Sequence, residues 1–319
     1  MERNVALDYL KLFLSFMIVG LHGHFLSDYS LIGYYLTVNG IFRVAVPSFL
    51  IINGFYFFSV IKRNRFCGWL KRVLILYLFW MVFYAYFWLF VPDLYQVGII
   101  KTVVVNMVLG YFHLWYLSGM IIAGVLLFWL RKYSAFILIM CSLTLFLIGV
   151  ALQYLFEYHQ LDSLIIDSAI NRHFLHRNAL LFSFPFFCMG YLIRKYDLHN
   201  KVSVNLVWMI TVLGVMLLFI ESYLNYAFLG VNSDFDNYLS LILIVPFLFI
   251  AIIKLNVIGH SKKVALYSSA IYFIHAAILY ALKKYTVVGS TKLTMLCILL
   301  STIAAYFIIA VNRRIHLIL

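Results

Sequence analysis

Val5 to Phe25 reads VALDYLKLFLSFMIVGLHGHF, an apolar run that carries Asp8, Lys11, Ser15, His22 and His24. Such a run is long enough to cross hydrocarbon as a helix. At about 100° per residue, Lys11 and His22 differ by only roughly 20° around the axis, and Asp8 and Ser15 lie within about 60° of them. His24 projects nearly the opposite way. An ionisable side chain in hydrocarbon costs about 2.5 kcal/mol or more, so this stripe must face a bundle interior or a wet cavity. That face is a candidate site.

The same reading extends along the chain. With 66% hydrophobic and 11% charged residues and a mean hydropathy of +1.02 over 319 residues, the composition excludes a water-soluble domain. Apolar stretches over 5–27, 41–61, 71–91, 114–131, 134–156, 178–193, 203–222, 237–254, 265–283 and 293–312 predict about ten spans in an all-α polytopic bundle, with 1–319 as one membrane domain. Residues 92–113 read as a re-entrant or interfacial helix rather than an eleventh span. With ten spans, Lys62, Arg63, Arg65, Lys71, Arg72, Arg131, Lys132, Arg194, Lys195, Lys201, Lys254, Lys262, Lys263, Arg313 and Arg314 share the side of the N-terminus, which makes both termini cytoplasmic.

Most acids fall opposite: Asp28, Asp93, Glu157, Asp162, Asp167, Glu221, Asp234 and Asp236. Lys283, Lys284 and Lys292 break the charge rule, and snorkelling is the simplest reading of them. The net charge of +13 does not point to nucleic acid, because the cations are spread along one membrane face where lipid and topology account for them. The four cysteines have neither metal-ligand spacing nor an outer-loop pair, so no disulfide and no metal is expected. The first helix reads as an uncleaved signal anchor.

Several other residues carry chemistry. An imidazole ordinarily titrates near neutrality, so a histidine at position 22 suits a general base or a transient acyl carrier. Lys11, roughly 16 Å away along the helix, cannot touch His22 and reads as an electrostatic partner of Asp8 or of a phosphate entering from the cytoplasm. The loop with Arg63, Arg65, Lys71 and Arg72 suits phosphates as well as topology. Arg43 and Asn53-Gly54 in the second span read as a snorkelling cation and a close helix approach. His113 and Trp115 open the fourth span; for Trp115 an interfacial aromatic belt is the default. Arg177 and Asn178 precede the sixth span after a polar connection with Glu157, His159, Asp162, Asp167, Arg172, His173 and His176, which reads mostly as solvated loop. In the ninth span Ser268, Tyr272 and His275 share one face. There is no glycine-rich phosphate loop and no H-x-x-x-x-D.

These segments resemble the acyltransferase-3 family of bacterial membrane enzymes. LDYLKLFLSFMIVGLH supplies a basic residue, ten intervening positions and a histidine, as Lys11 and His22. The likeness continues through RVAVPSFLIINGF from Arg43, LKRVLILYLFW, HLWYL from His113, RNALLFSFPFFCMGYLI from Arg177 and SSAIYFIH to His275. Trp69 stands where the family commonly has the first of two arginines, Arg72 being the second, and Asn53 stands where it commonly has serine. The resemblance implies transfer of an acetyl group from cytoplasmic acetyl-CoA, without a metal, to a surface or lipid-linked glycan at the inner membrane. His22 and Lys11 would then be catalytic and Arg63, Arg65, Lys71 and Arg72 would bind the donor. Asp8, Ser15, Arg43, His113, Trp115, Arg177, Asn178, Tyr272 and His275 would line the substrate cavity. The rival reading is a non-catalytic, transporter-like domain for a small polar solute, since carriers also use intramembrane ionisable groups.

Overall fold

The computed structural model describes residues 3–89, 99–158, 173–315 and 318–319. The expectations placed on Asp93, His159, Asp162, Asp167 and Arg172 lie outside them. A two-residue strand β1 (Arg3–Asn4) pairs antiparallel with β2 (Ile258–Gly259), and everything else of regular structure is helical. In chain order the helices are α1 (Ala6–Gly23), α2 (Leu31–Val38), α3 (Ala45–Lys62), α4 (Phe66–Phe83), α5 (Ala85–Leu89), α6 (Ile99–Leu109), α7 (Trp115–Leu130) and α8 (Ala135–Glu157). They continue with α9 (His173–His176), α10 (Phe184–Lys195), α11 (Leu198–Lys201), α12 (Val204–Leu229), α13 (Leu241–Lys254), α14 (Lys263–Tyr285) and α15 (Ser290–Ile315).

Among the described residues, eight helical segments are long and apolar enough to cross a membrane: α1, the run from α2 into α3, α4, the run into α7, α8, α12, α14 and α15. The shorter α13, and α10 with the π-helical turn Ala179–Ser183 before it, occupy the positions of the other two predicted spans. Residues Ile99–Leu109 form one helix of 11 residues, too short at about 1.5 Å per residue to cross hydrocarbon. The predicted connection before the second span is itself helical in α2, with Ser30 capping it through the Gly33 N–H at 3.0 Å.

Alternating helices gather the predicted cytoplasmic cations at one end of the bundle, the basic end, and leave His22 near the opposite end. Two devices set helix positions that composition alone does not. Gly54 on α3 faces the Phe187 backbone, and Gly190 on α10 faces the Ile51 backbone, so a methyl at either would collide with main chain. This close approach is what small residues permit between membrane helices. Glu221 reaches from α12 to accept hydrogen bonds from the Leu239 and Ser240 N–H groups at 2.7 and 2.9 Å, capping α13 from a neighbour. That cap starts the helix at Leu241 rather than at the predicted 237. Outward faces of α8, α12 and α15 present Phe136, Met209, Phe228, Tyr306 and Phe307, an apolar rim suited to lipid.

Candidate active site

The α1 stripe resolves into two places. At the basic end Asp8 is buried, with its carboxylate 4.0 Å from the Lys11 ammonium, which also lies 5.5 Å from the Tyr56 ring centre. Lys11 lines a cavity of about 160 Å³ together with Asn53, Tyr116, Ser268 and Tyr272. Ser15 is fully buried and its hydroxyl donates to the Leu12 carbonyl of its own helix at 2.7 Å, and it is not in the lining of that cavity. Asp8 is likewise outside that lining; its place is beside Lys11.

His22 stands at the other end of α1, in a group of three imidazoles. Its ring stacks on His275 at 5.4 Å between centroids, and His275 lies 4.9 Å from His113. α14 contributes His275, which keeps its Nδ1 2.6 Å from the Tyr272 carbonyl. A carbonyl only accepts, so Nδ1 carries the proton and Nε2 keeps its lone pair. That Nε2 and both ring nitrogens of His113 are buried without a hydrogen-bond partner among the described residues. The Tyr272 hydroxyl donates to the His113 carbonyl at 2.6 Å and ties α14 to the turn before α7.

That turn is held in an uncommon shape. Gly110 has φ +87° and sits against the Trp115 backbone, where a side chain would not fit. Phe112 has φ +47°, a left-handed conformation that a bulky residue adopts at a cost of order 1–3 kcal/mol. The result places the Phe112 ring 4.4 Å from His22. Strain of this kind clusters at sites where position matters more than local preference.

A polar vestibule of about 720 Å³ opens on His22 from the end opposite the basic loops, with Arg43, Trp115, Arg177, Asp234 and Lys283 in its walls. Arg43 does not snorkel. It is buried, and its guanidinium donates to Asp234, Asp236 and Asn39 side chains and to the Val38 carbonyl. Arg177 donates to the other Asp236 oxygen at 2.8 Å and lies 4.9 Å over the Trp115 ring. Burial opposes ionisation of Asp236, but Arg177 and Arg43 outweigh it and hold the carboxyl well below the usual carboxylate range. Burial pushes the His176 imidazole down to about 4. His176 is therefore buried structure rather than the solvated loop predicted.

His24 also differs from its predicted place. α1 ends at Gly23, and His24 takes a left-handed conformation, φ 55°, so the 100° projection no longer applies to it. It lines the same vestibule as His22, with Nδ1 3.1 Å from the Tyr34 hydroxyl. Asn178 caps the π-helical turn, accepting from Leu180 and Leu181 N–H groups at 2.9 Å, and lines a recess of only about 20 Å³ beside Arg177. In the basic loop, Lys71 and Arg72 line a cavity of about 240 Å³, whereas Arg63 and Arg65 project from an exposed turn. Trp69 turns inward against Gly124, 4.8 Å from the Phe57 ring, and supplies packing where a guanidinium would supply charge. The 240 Å³ and 160 Å³ cavities share Leu76 and Leu319 as a wall.

Asn39, Tyr84, Asp234 and Asp236 are among the polar residues near the site that the sequence reading did not assign to it, the last two having been read only as outer-side acids. The one signal was the D-x-D pair at Asp234 and Asp236 in a chain with few acids. The fold and this site define a helical membrane protein with a buried histidine cluster between cavities at its two ends. The acyltransferase-3 family profile, described as an acyltransferase domain, matches residues 4–311, and the chain belongs to this family. It is also 27% identical over 328 aligned positions to a serine/alanine racemase of Enterococcus gallinarum, an alignment covering 97% of this chain and 45% of that protein. The chain thus spans less than half the length of that relative. No solved structure gives a significant match.

Proposed function

We propose that the protein moves an acetyl or similar short acyl group from cytoplasmic acetyl-CoA to a hydroxyl of a surface or lipid-linked glycan. In this reading it lies in the bacterial inner membrane with the basic end and both termini cytoplasmic, following the distribution of Lys and Arg. The observation that carries the reading is the position of His22, His113 and His275 between the Lys11 cavity and the polar vestibule. Lys71 and Arg72 take the donor phosphates, Arg72 with a planar fork of donors, and Lys11 stabilises negative charge along the way inward. A vestibule of about 720 Å³ is of a size that holds sugar units.

At the cluster, His22 takes the proton of the acceptor hydroxyl as that oxygen attacks the thioester carbonyl. The C–O bond forms, the C–S bond breaks, and the imidazolium returns its proton to the departing thiolate. His22 can equally attack first and carry the acyl group to the acceptor. His275, its Nδ1–H committed to Tyr272, stacks its ring on His22 and helps fix the orientation of that imidazole.

The test is purified protein in lipid nanodiscs with labelled acetyl-CoA and extracts of bacterial surface glycans. Acetyl ester should appear with free CoA in equal amounts. A second reading, carriage of a small polar solute, draws on the approach of cavities to the cluster from both ends. Solute uptake into proteoliposomes by a protein that cleaves no thioester with any extract would replace the first reading with the second.

A further inference from the structure

A second cavity reaches His22 from the flank of the bundle, and its character is unlike the vestibule's. It holds about 180 Å³ and is walled by Tyr84, Phe87, Leu279 and Tyr280, with Lys283 at one edge. Phe87 and Tyr280 meet edge to face at 4.8 Å, while Tyr280 is half exposed on the outer surface of α14. The apolar groove and the polar vestibule have His22, Tyr111, Phe112 and Lys283 in common. A soluble sugar chain would use the vestibule alone; an apolar slot beside the same histidine calls for an amphipathic occupant.

Lys283 adds the charge. It is one of three lysines that break the distribution of cations along the chain. Lys284 lies 5.5 Å from the Tyr285 ring centre, and Lys292 acts on Asp28. Lys283 instead edges both cavities and forms no ion pair among the described residues. The acids nearest the vestibule do not neutralise it, because Asp234 and Asp236 are engaged by Arg43 and Arg177.

Building on the acyl-transfer reading, we propose that the acceptor is a lipid-linked sugar phosphate. Its tail lies in the groove over Tyr84, Phe87, Leu279 and Tyr280, its phosphate meets Lys283, and its sugar enters the vestibule with a hydroxyl at His22. The arrangement selects a membrane-anchored precursor over a finished polymer, because tail, phosphate and sugar are each met by a separate surface.

Equilibrium binding to the protein in neutral-lipid nanodiscs tests this with three probes: glucosyl phosphoryl polyprenol, glucose phosphate without the tail, and a neutral long-chain alkyl glucoside. The first should bind at least about tenfold more tightly than either of the others, since each lacks one of the two anchors. Lys283→Gln should lower the preference for the phosphate-bearing lipid over the neutral glucoside by about tenfold, and Lys283→Arg should restore most of it. Tyr280→Ala, at a half-exposed position, and Leu279→Trp should each reduce the advantage of the tailed phosphate over the tailless one. Equal binding of all three probes overturns the proposal, as does full displacement of the polyprenol by phosphatidylglycerol, which would make the groove a bulk-lipid contact. Selective binding without acetyl transfer would leave this inference standing and refute the acyl-transfer reading; transfer without selectivity would do the reverse.

Discussion

Two polar clusters lie within this bundle, and they are built on opposite principles. Around Arg43 every charge is matched: the guanidinium meets two carboxylates, an amide and a backbone carbonyl, and Asp236 meets Arg177 as well. Gln153 joins the network by accepting from the Asp236 and Asn237 N–H groups at 3.1 and 2.8 Å, while its own Nε2 and the Asn237 Oδ1 stay buried without a partner among the described residues. Around His22 the reverse holds, with three imidazoles in contact and buried nitrogens left without partners. Low dielectric makes an unpaired charge costly, so a cluster whose charges are all paired reads as scaffold, and one of imidazoles with unpartnered nitrogens as a place reserved for a reactant.

The largest effect that separates them belongs to the scaffold. Arg43→Leu leaves Asp234 without its ion-pair partner and Asp236 with Arg177 alone, and breaking a buried pair in this way costs about 3–5 kcal/mol. The mutant should show a sharply lower melting temperature in detergent and poor recovery from membranes. A mutant as stable as wild type, but unable to bind acceptor, would move Arg43 from scaffold to substrate site.

His176 sharpens the same contrast through pH. Its imidazole is held down at about 4 by burial, against about 6.5 when unfolded, so the unfolded chain binds the proton first as pH falls. Stability is then complete above about pH 6.5 and declines through the interval down to about 4, by about 3 kcal/mol in total. His176→Gln should flatten that part of the profile. Asp236 acts at lower pH: its depressed carboxyl contributes stability that is lost only as pH falls below the usual carboxylate range. A wild-type profile level between pH 4 and 6.5 would contradict the burial of His176.

Smaller effects concern the two ends of the proposed path. Arg72→Gln should weaken acetyl-CoA binding several-fold and make what remains less sensitive to salt, as loss of one charge contact requires. Arg63→Gln should do less, because Arg63 projects from the turn instead of lining the 240 Å³ cavity. His24→Ala should raise the acceptor KM a few-fold while kcat stays near wild type, since His24 bonds Tyr34 in the vestibule wall. Equal losses in Arg63 and Arg72 variants would assign the whole loop to orientation.

What the sequence disclosed follows from which interactions are local. The α1 stripe and the shared face of Ser268, Tyr272 and His275 were legible because helical period fixes directions within one element. His24 was misplaced because that period ends with the helix, and nothing in GLHGHF states that Gly23 is the last helical residue. Arg43 was read as a snorkelling cation because its partners, Asp234 and Asp236, lie 191 and 193 positions away. The apolar groove was invisible for the same reason: Tyr84 follows the end of α4, Phe87 comes from α5, and Leu279 and Tyr280 come from α14. Gly54 was legible as a close-approach residue, but only the fold names Phe187 as what it approaches.

The central claim is that the histidine cluster performs acyl transfer while the Arg43 network only holds its place. The direct measurement is the rate of acetyl ester formation by His22→Ala in nanodiscs, taken beside its melting temperature. Loss of a general base or acyl carrier should lower the rate at least about 10²-fold with the melting temperature near wild type. A stable His22→Ala protein that transfers acetyl groups at the wild-type rate would contradict the account.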